Sequence, residues 1–165
     1  MTVSIEMPTP GPGQLRVLYL LPADLAAVDG DSPRTMMTVL GSCVSVCLWD
    51  RRGRGGGMNH FVLPRRGTNG EMTARYGDVA IPMLVSRLLA LGVARADLRA
   101  KIFGGAHVLP DVPAGGRTLG GDNVEVAVKA MHAEGIPIVS EDVGGTRGRK
   151  LAFNTADGTA LVWRL

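Results

Sequence analysis

The only two cysteines of the chain lie four residues apart in Gly41-Ser42-Cys43-Val44-Ser45-Val46-Cys47, and the first follows a Gly-Ser pair that reads as a turn. A thiol is mostly protonated near neutral pH, so attack on a carbonyl needs a neighbouring imidazole or a turn rich in N–H donors to make the thiolate. His60 supplies the imidazole if the strand carrying the cysteines pairs with the stretch Met58-Asn59-His60-Phe61. With a loop from Trp49 to Arg54, Leu48 faces Gly55, Val46 faces Gly57 and Cys43 faces His60, with opposed Cβ atoms about 5 Å apart. Cys47 shares that face but lies further from His60, which makes Cys43 the candidate nucleophile and His60 its base. The N–H groups of the Gly41-Ser42-Cys43 turn can hold the oxyanion that forms when a thiolate attacks an amide. A slip of one residue would separate the pair. The plainer alternative makes Cys43 a small core hydrophobe and His60 a partly buried imidazole with its hydrogen bonds satisfied.

Other chemistry-bearing residues are less well placed. His107 follows a glycine pair and His132 falls in a helical stretch, neither with a second ligand at metal spacing, so no metal and no cofactor are expected. The run Gly144 to Arg149, GGTRGR, lacks the phosphate-loop pattern and reads as a loop. Arg51, Arg52 and Arg54 form a mobile basic tip beside three glycines, able to steer an acidic partner. The chain has 165 residues, 45% hydrophobic and 20% charged, which suits one globular domain with an aliphatic core. A net charge of +3, carried by scattered arginines without interleaved aromatics, does not point to nucleic acid. No apolar run approaches the ~20 residues of a membrane span, and the first residues lack a secretory pattern. A reducing cytoplasm is expected. Two cysteines on one strand would stand about 13 Å apart, too far for a disulfide.

The elements that must position these groups follow from periodicity. Residues 1–13 read as a loose tail and 14–165 as a single domain. Leu15 to Leu21 reads as a first strand, residues 36–49 as extended chain around Gly41-Ser42, and 51–57 as a Gly- and Arg-rich loop before Met58. Apolar residues at 80, 84, 88 and 91 predict a helix over Asp78–Leu91, with Pro82 in its first turn and Gly92 as its end. AKIFGGA (100–106) reads as a buried strand ending in a glycine turn. A second helix is capped by Asp122 or Asn123 and stopped by Gly135. IPIVSEDV follows as extended chain, and Asp157-Gly158 suits a hairpin turn near the end.

Taken in order, LGSCVSVCLWD, GGMNHFVLP, RYGD, AKIFGGA, GDNV and VGGTRGRKLAF resemble the bacterial chemoreceptor glutamine deamidases, the CheD family, over about Val39 to Val162. The resemblance implies an α/β single-domain three-layer sandwich with a mixed sheet and about two to three helices. It implies hydrolysis of glutamine side chains on methyl-accepting chemoreceptors, giving glutamate and ammonia, with contact to the membrane only through the receptors and a CheC-type phosphatase as a partner. Its catalytic cysteine and histidine fall on Cys43 and His60, with Gly41 and Ser42 supporting the turn. The family's third residue is a threonine six before the cysteine, where this chain has Met37; Thr38, five before, is the candidate. On one continuous strand Thr38 would face away from Cys43 unless the Gly41-Ser42 bend resets the parity. Two alternatives follow: a non-catalytic adaptor that docks on receptors or the phosphatase, if the third group is lost, and a Cys/His amidase acting on another substrate.

Overall fold

The computed structural model describes residues 16–109 and 115–165, so the expected tail and the start of the first expected strand lie outside them. Two mixed sheets stack face to face, and two helices cover the far side of the larger one. The larger sheet contains β2 (Leu25–Asp29), β4 (Val44–Asp50), β5 (Gly55–Asn59), β6 (Leu98–Gly104) and β7 (Ile138–Val143), in the order β2-β5-β4-β6-β7. The smaller runs β1-β3-β8-β9, from β1 (Val17–Tyr19), β3 (Thr35–Leu40), β8 (Arg149–Asn154) and β9 (Ala160–Arg164). β6 with β7, and β1 with β3, pair parallel; the other ladders are antiparallel. The result is the expected three-layer α/β arrangement, ordered helices, large sheet, small sheet.

β4 shows why this order forms. Every residue of VSVCLWD is buried, as expected for a strand covered on both faces rather than one half-exposed. Val44, Val46 and Leu48 face the helices and join a core with Ile81, Leu84, Leu88 and Ile102. Cys47 and Trp49 face the small sheet and pack with Met36, Leu40, Leu151 and Phe153. Each such aliphatic side chain contributes about 1.5–3 kcal/mol on burial, so the two cores fix which face of β4 looks which way.

Several sequence expectations shift. Residues 55–57, which composition assigns to a loop and the hairpin pairing to a strand, form β5 pressed between neighbours: a Cβ on Gly57 would lie 2.4 Å from the Ala26 carbonyl and 2.8 Å from Leu84 Cδ1. The tip therefore shrinks to residues 51–54, and its arginines are tied down, Arg51 and Arg52 to Asp97 and Arg54 to Asp50 and Asp97. β2, rich in alanine, carried no strand signal and is held by its ladder to β5. Helix α1 (Gly77–Ala90) places Pro82 in its second turn rather than its first. Helix α2 (Leu119–Glu134) begins earlier than expected because Thr118 is its cap, accepting from Gly121 N at 3.0 Å. Asn123 is thus an interior, fully buried residue. Both helices stop where expected, before Gly92 and Gly135.

Candidate active site

The chain leaves the small sheet at Leu40 and enters the large one at Val44, so Gly41-Ser42-Cys43 is the crossover between layers. That crossing removes the parity objection to Thr38. In β3 the buried residues Met36, Thr38 and Leu40 point into the space between the sheets, toward the face of the large sheet that carries Cys47 and Met58. Thr38 therefore reaches the site from the facing sheet rather than along its own strand.

The hairpin register differs from expectation by two residues. Leu48 faces Gly57 and Cys47 faces Met58, and beyond a short gap Val44 bridges Phe61 with hydrogen bonds in both directions, 3.2 and 3.0 Å. In this register Cys43 stands opposite Val62, and His60 opposite Ser45. A shift of two keeps every side chain on its face, so Cys43 and His60 become diagonal neighbours rather than directly opposed ones, about 7 Å apart by strand geometry. The gap in the ladder is filled by Asn59, whose Oδ1 accepts from Val46 N at 2.9 Å.

His60 is held from three sides. Its N–H donates to Asp24 O at 2.9 Å and its carbonyl accepts from Ala23 N at 2.8 Å. Ala23 sits at φ 71, a left-handed conformation unusual for a residue with a Cβ, in the turn that follows Leu20. The ring nitrogen Nδ1 lies 2.7 Å from Thr38 Oγ1, and the same hydroxyl lies 2.7 Å from the Leu20 carbonyl. A carbonyl can only accept, so the single hydroxyl proton of Thr38 goes to Leu20. Thr38 Oγ1 then accepts from Nδ1–H, which fixes the neutral tautomer with its lone pair on Nε2. Nε2 is buried and has no partner among the described residues. Such a nitrogen is an unused base.

Burial pushes the His60 pKa below its ordinary value, against the opposing pull of Asp24 and the Leu20 carbonyl. Burial also pushes the Cys43 thiol up, partly offset by its own backbone N–H and by Arg75. Both shifts favour the uncharged forms, so the geometry suits His60 as an acceptor of the thiol proton. Cys43 is partly exposed, whereas Cys47 is fully buried and its thiol is raised well above the ordinary value. Both are free thiols. A cavity of about 180 Å³ reaches His60 and Thr38, walled by Tyr19, Leu21, Met37 and Lys150 among others.

The turn itself is pinned through its carbonyls. Gly41 O accepts from Ala106 N at 2.9 Å and Cys43 O from Gly105 N at 2.8 Å, both from the loop after β6. Ser42 O accepts from Asn123 Nδ2 at 3.0 Å. Sequence reading treated Asn123 only as a possible helix cap; its place in the GDNV motif was the available signal. No cluster of three or more His, Cys, Asp or Glu able to hold a metal occurs among the described residues.

Comparison with known proteins identifies the family. The family model described as CheD chemotactic sensory transduction matches residues 62–164. Over 157 residues the chain is 46% identical to a "Probable chemoreceptor glutamine deamidase CheD 1" of Anaeromyxobacter dehalogenans, covering 95% of this chain and 90% of the relative. It is 49% identical over 144 residues to a "Probable chemoreceptor glutamine deamidase CheD" of Rhodospirillum rubrum, covering 87% and 80%. A protein of the same description from Trichlorobacter lovleyi is 45% identical over 127 residues, covering 77% and 78%. The family model begins downstream of Cys43 and His60, but an alignment over 95% of the chain leaves room for few residues outside it. With most of its length shared at nearly half identity, the chain belongs to the CheD family.

Proposed function

We propose that this chain is a protein-glutamine deamidase that converts glutamine side chains of methyl-accepting chemoreceptors to glutamate in bacterial chemotaxis. The observation that carries the reading is the bonded sequence Leu20 carbonyl, Thr38 hydroxyl, His60 Nδ1, which leaves Nε2 as a buried free base on the face that Cys43 shares. As Cys43 Sγ attacks the carboxamide carbon, its proton passes to Nε2, and Thr38 stabilises the imidazolium by accepting from Nδ1. The N–H groups of Ser42 and Cys43 receive the oxyanion. Collapse breaks the C–N bond; His60 returns the proton to the departing nitrogen, which leaves as ammonia, and a thioester remains on Cys43. Water then attacks the thioester carbon while His60 takes its proton, and the C–S bond breaks. The acid is released, and the thiol regains its proton.

The names of the relatives support receptors as the substrate. The adaptor alternative rested on a missing third group, and Thr38 hydrogen-bonded to His60 removes its motivation. By the family resemblance the protein works in the cytoplasm and pairs with a CheC-type phosphatase; no helix among the described residues is long and apolar enough to cross a membrane. The test is intact-mass analysis of a receptor cytoplasmic fragment incubated with the protein. A gain equal to the amide-to-acid difference at defined glutamines is expected. An unchanged fragment, with conversion of free glutamine or a peptide bond instead, would transfer the site to another amidase class.

A further inference from the structure

The geometry points to Asn123 as a positioning residue that aims the Cys43 N–H into the site and fixes the spacing between the nucleophile's strand and the base's strand. This inference rests on the deamidase reading above. Asn123 lies in the second turn of α2 and is fully buried. Its Nδ2 donates two hydrogen bonds, to Ser42 O and to Val62 O, each 3.0 Å. Both partners are carbonyls, so the orientation of the side-chain amide is unambiguous.

These two carbonyls belong to the two halves of the site. Ser42 immediately precedes the proposed nucleophile, and Val62 follows His60 by two residues, just past the Val44–Phe61 bridge. The β4–β5 ladder makes its last bridge at Val44 and Phe61; beyond it Val62 N turns away to Arg75 O at 2.8 Å. Asn123 thus spans the two strands where backbone pairing stops. In a trans peptide the C=O and N–H point in opposite directions. Holding Ser42 O on Asn123 therefore directs the Cys43 N–H to the other side, and Ala106 N on Gly41 O does the same for the Ser42 N–H. Neither the Ser42 nor the Cys43 N–H meets a backbone carbonyl among the described residues.

The cost of the arrangement argues for a role beyond stability. Asn123 Oδ1 is buried without a partner, a penalty that an apolar side chain on the same helix face would avoid. Its helix neighbours Val126 and Ala127 are buried apolar residues of the core.

The test compares the parent with Asn123→Ala and with Met131→Ala, a buried apolar truncation on the same helix that leaves the turn's hydrogen bonds intact. Deamidation of a receptor cytoplasmic fragment, thermal unfolding and the pH dependence of Cys43 alkylation by iodoacetamide are read for all three. Asn123→Ala is expected to lower kcat about tenfold or more with KM within about twofold, and to move the alkylation midpoint to higher pH. Met131→Ala, at a similar loss of melting temperature, is expected to leave both near the parent. If Asn123→Ala does not fold, Asn123→Ser, which keeps one donor, is expected to fall between parent and total loss. Equal falls in kcat for the Ala variants, or an unmoved alkylation midpoint in the Asn123 variant, overturns the positioning role. A parent that leaves the receptor fragment unchanged overturns the deamidase reading instead, and the alkylation profiles still report on the clamp.

Discussion

In the proposed mechanism Thr38, His60 and Cys43 do different work, and each gives a separable expectation. Thr38 is buried, with a hydroxyl that serves two partners at 2.7 Å each. Thr38→Ser keeps that hydroxyl and should retain most turnover. Thr38→Ala should lower turnover by at least about tenfold, because His60 can then adopt the other tautomer, and Thr35→Ala should change little. Loss of turnover in Thr35→Ala with normal Thr38→Ala rates would hand the third role to another residue. For His60 the sign of the pH effect follows from its depressed pKa. The base is neutral and competent down to pH values below its ordinary 6.5, so the acid limb of kcat/KM should lie below 6.5. The same shift makes the unfolded chain the stronger proton binder. Its stability contribution is intact above the unfolded value and erodes as the pH falls through it, a slope that urea titrations of the parent and His60→Ala should resolve. An acid limb above 6.5 would mean that His60 is not held neutral. At this scale the sequence was informative: turn chemistry singled out Cys43, and strand parity placed His60 on its face. Thr38 entered only through the family resemblance, since its hydrogen bond to His60 is made across the space between the sheets.

Among the elements, β6 packs directly on the turn of the proposed nucleophile. Gly104 pairs with Val44 and has φ 108, and a Cβ there would fall 2.1 Å from the Cys43 carbonyl oxygen. Gly104→Ala must push β6 away from the turn and release the Gly105 and Ala106 hydrogen bonds that pin it. A destabilisation of about 2–4 kcal/mol in chemical unfolding is expected, with loss of activity. A variant as stable and active as the parent would show that the turn does not depend on this contact. The helices and the central strands were readable because their apolar spacing is strong. The hairpin register was not, because a two-residue shift leaves every side chain on the same face and so leaves the hydrophobic pattern unchanged. The contacts that accompany the observed register, among them the close approach of Gly56 to Thr155 and of Gly57 to Ala26, are long-range.

Across the whole molecule, each layer supplies one part of the proposed site: the small sheet Thr38, the large sheet His60, the crossover Cys43, and the helical layer Asn123. Sequence pattern gave no sign that residues 36–49 divide between two sheets, because both strands are apolar and the partners that separate them, β8 for β3 and β6 for β4, lie far along the chain. The basic tip, expected to steer an acidic partner, instead anchors two acids. Arg54 meets both Asp50, whose side chain is fully buried, and Asp97. Arg54→Gln should lower the melting temperature by leaving Asp50 with less compensation, and should alter receptor association little at any salt. A strongly salt-dependent loss of association with unchanged melting would restore the steering role.

The most direct measurement is deamidation of a receptor cytoplasmic fragment, followed by intact mass, for Cys43→Ala beside Cys47→Ala. Cys43→Ala should give no conversion while melting close to the parent, since alanine keeps a small apolar volume at a partly exposed position. Cys47→Ala, truncated inside the core between the sheets, should keep most of the activity. Conversion by Cys43→Ala, or equal loss from both substitutions, would contradict Cys43 as the nucleophile.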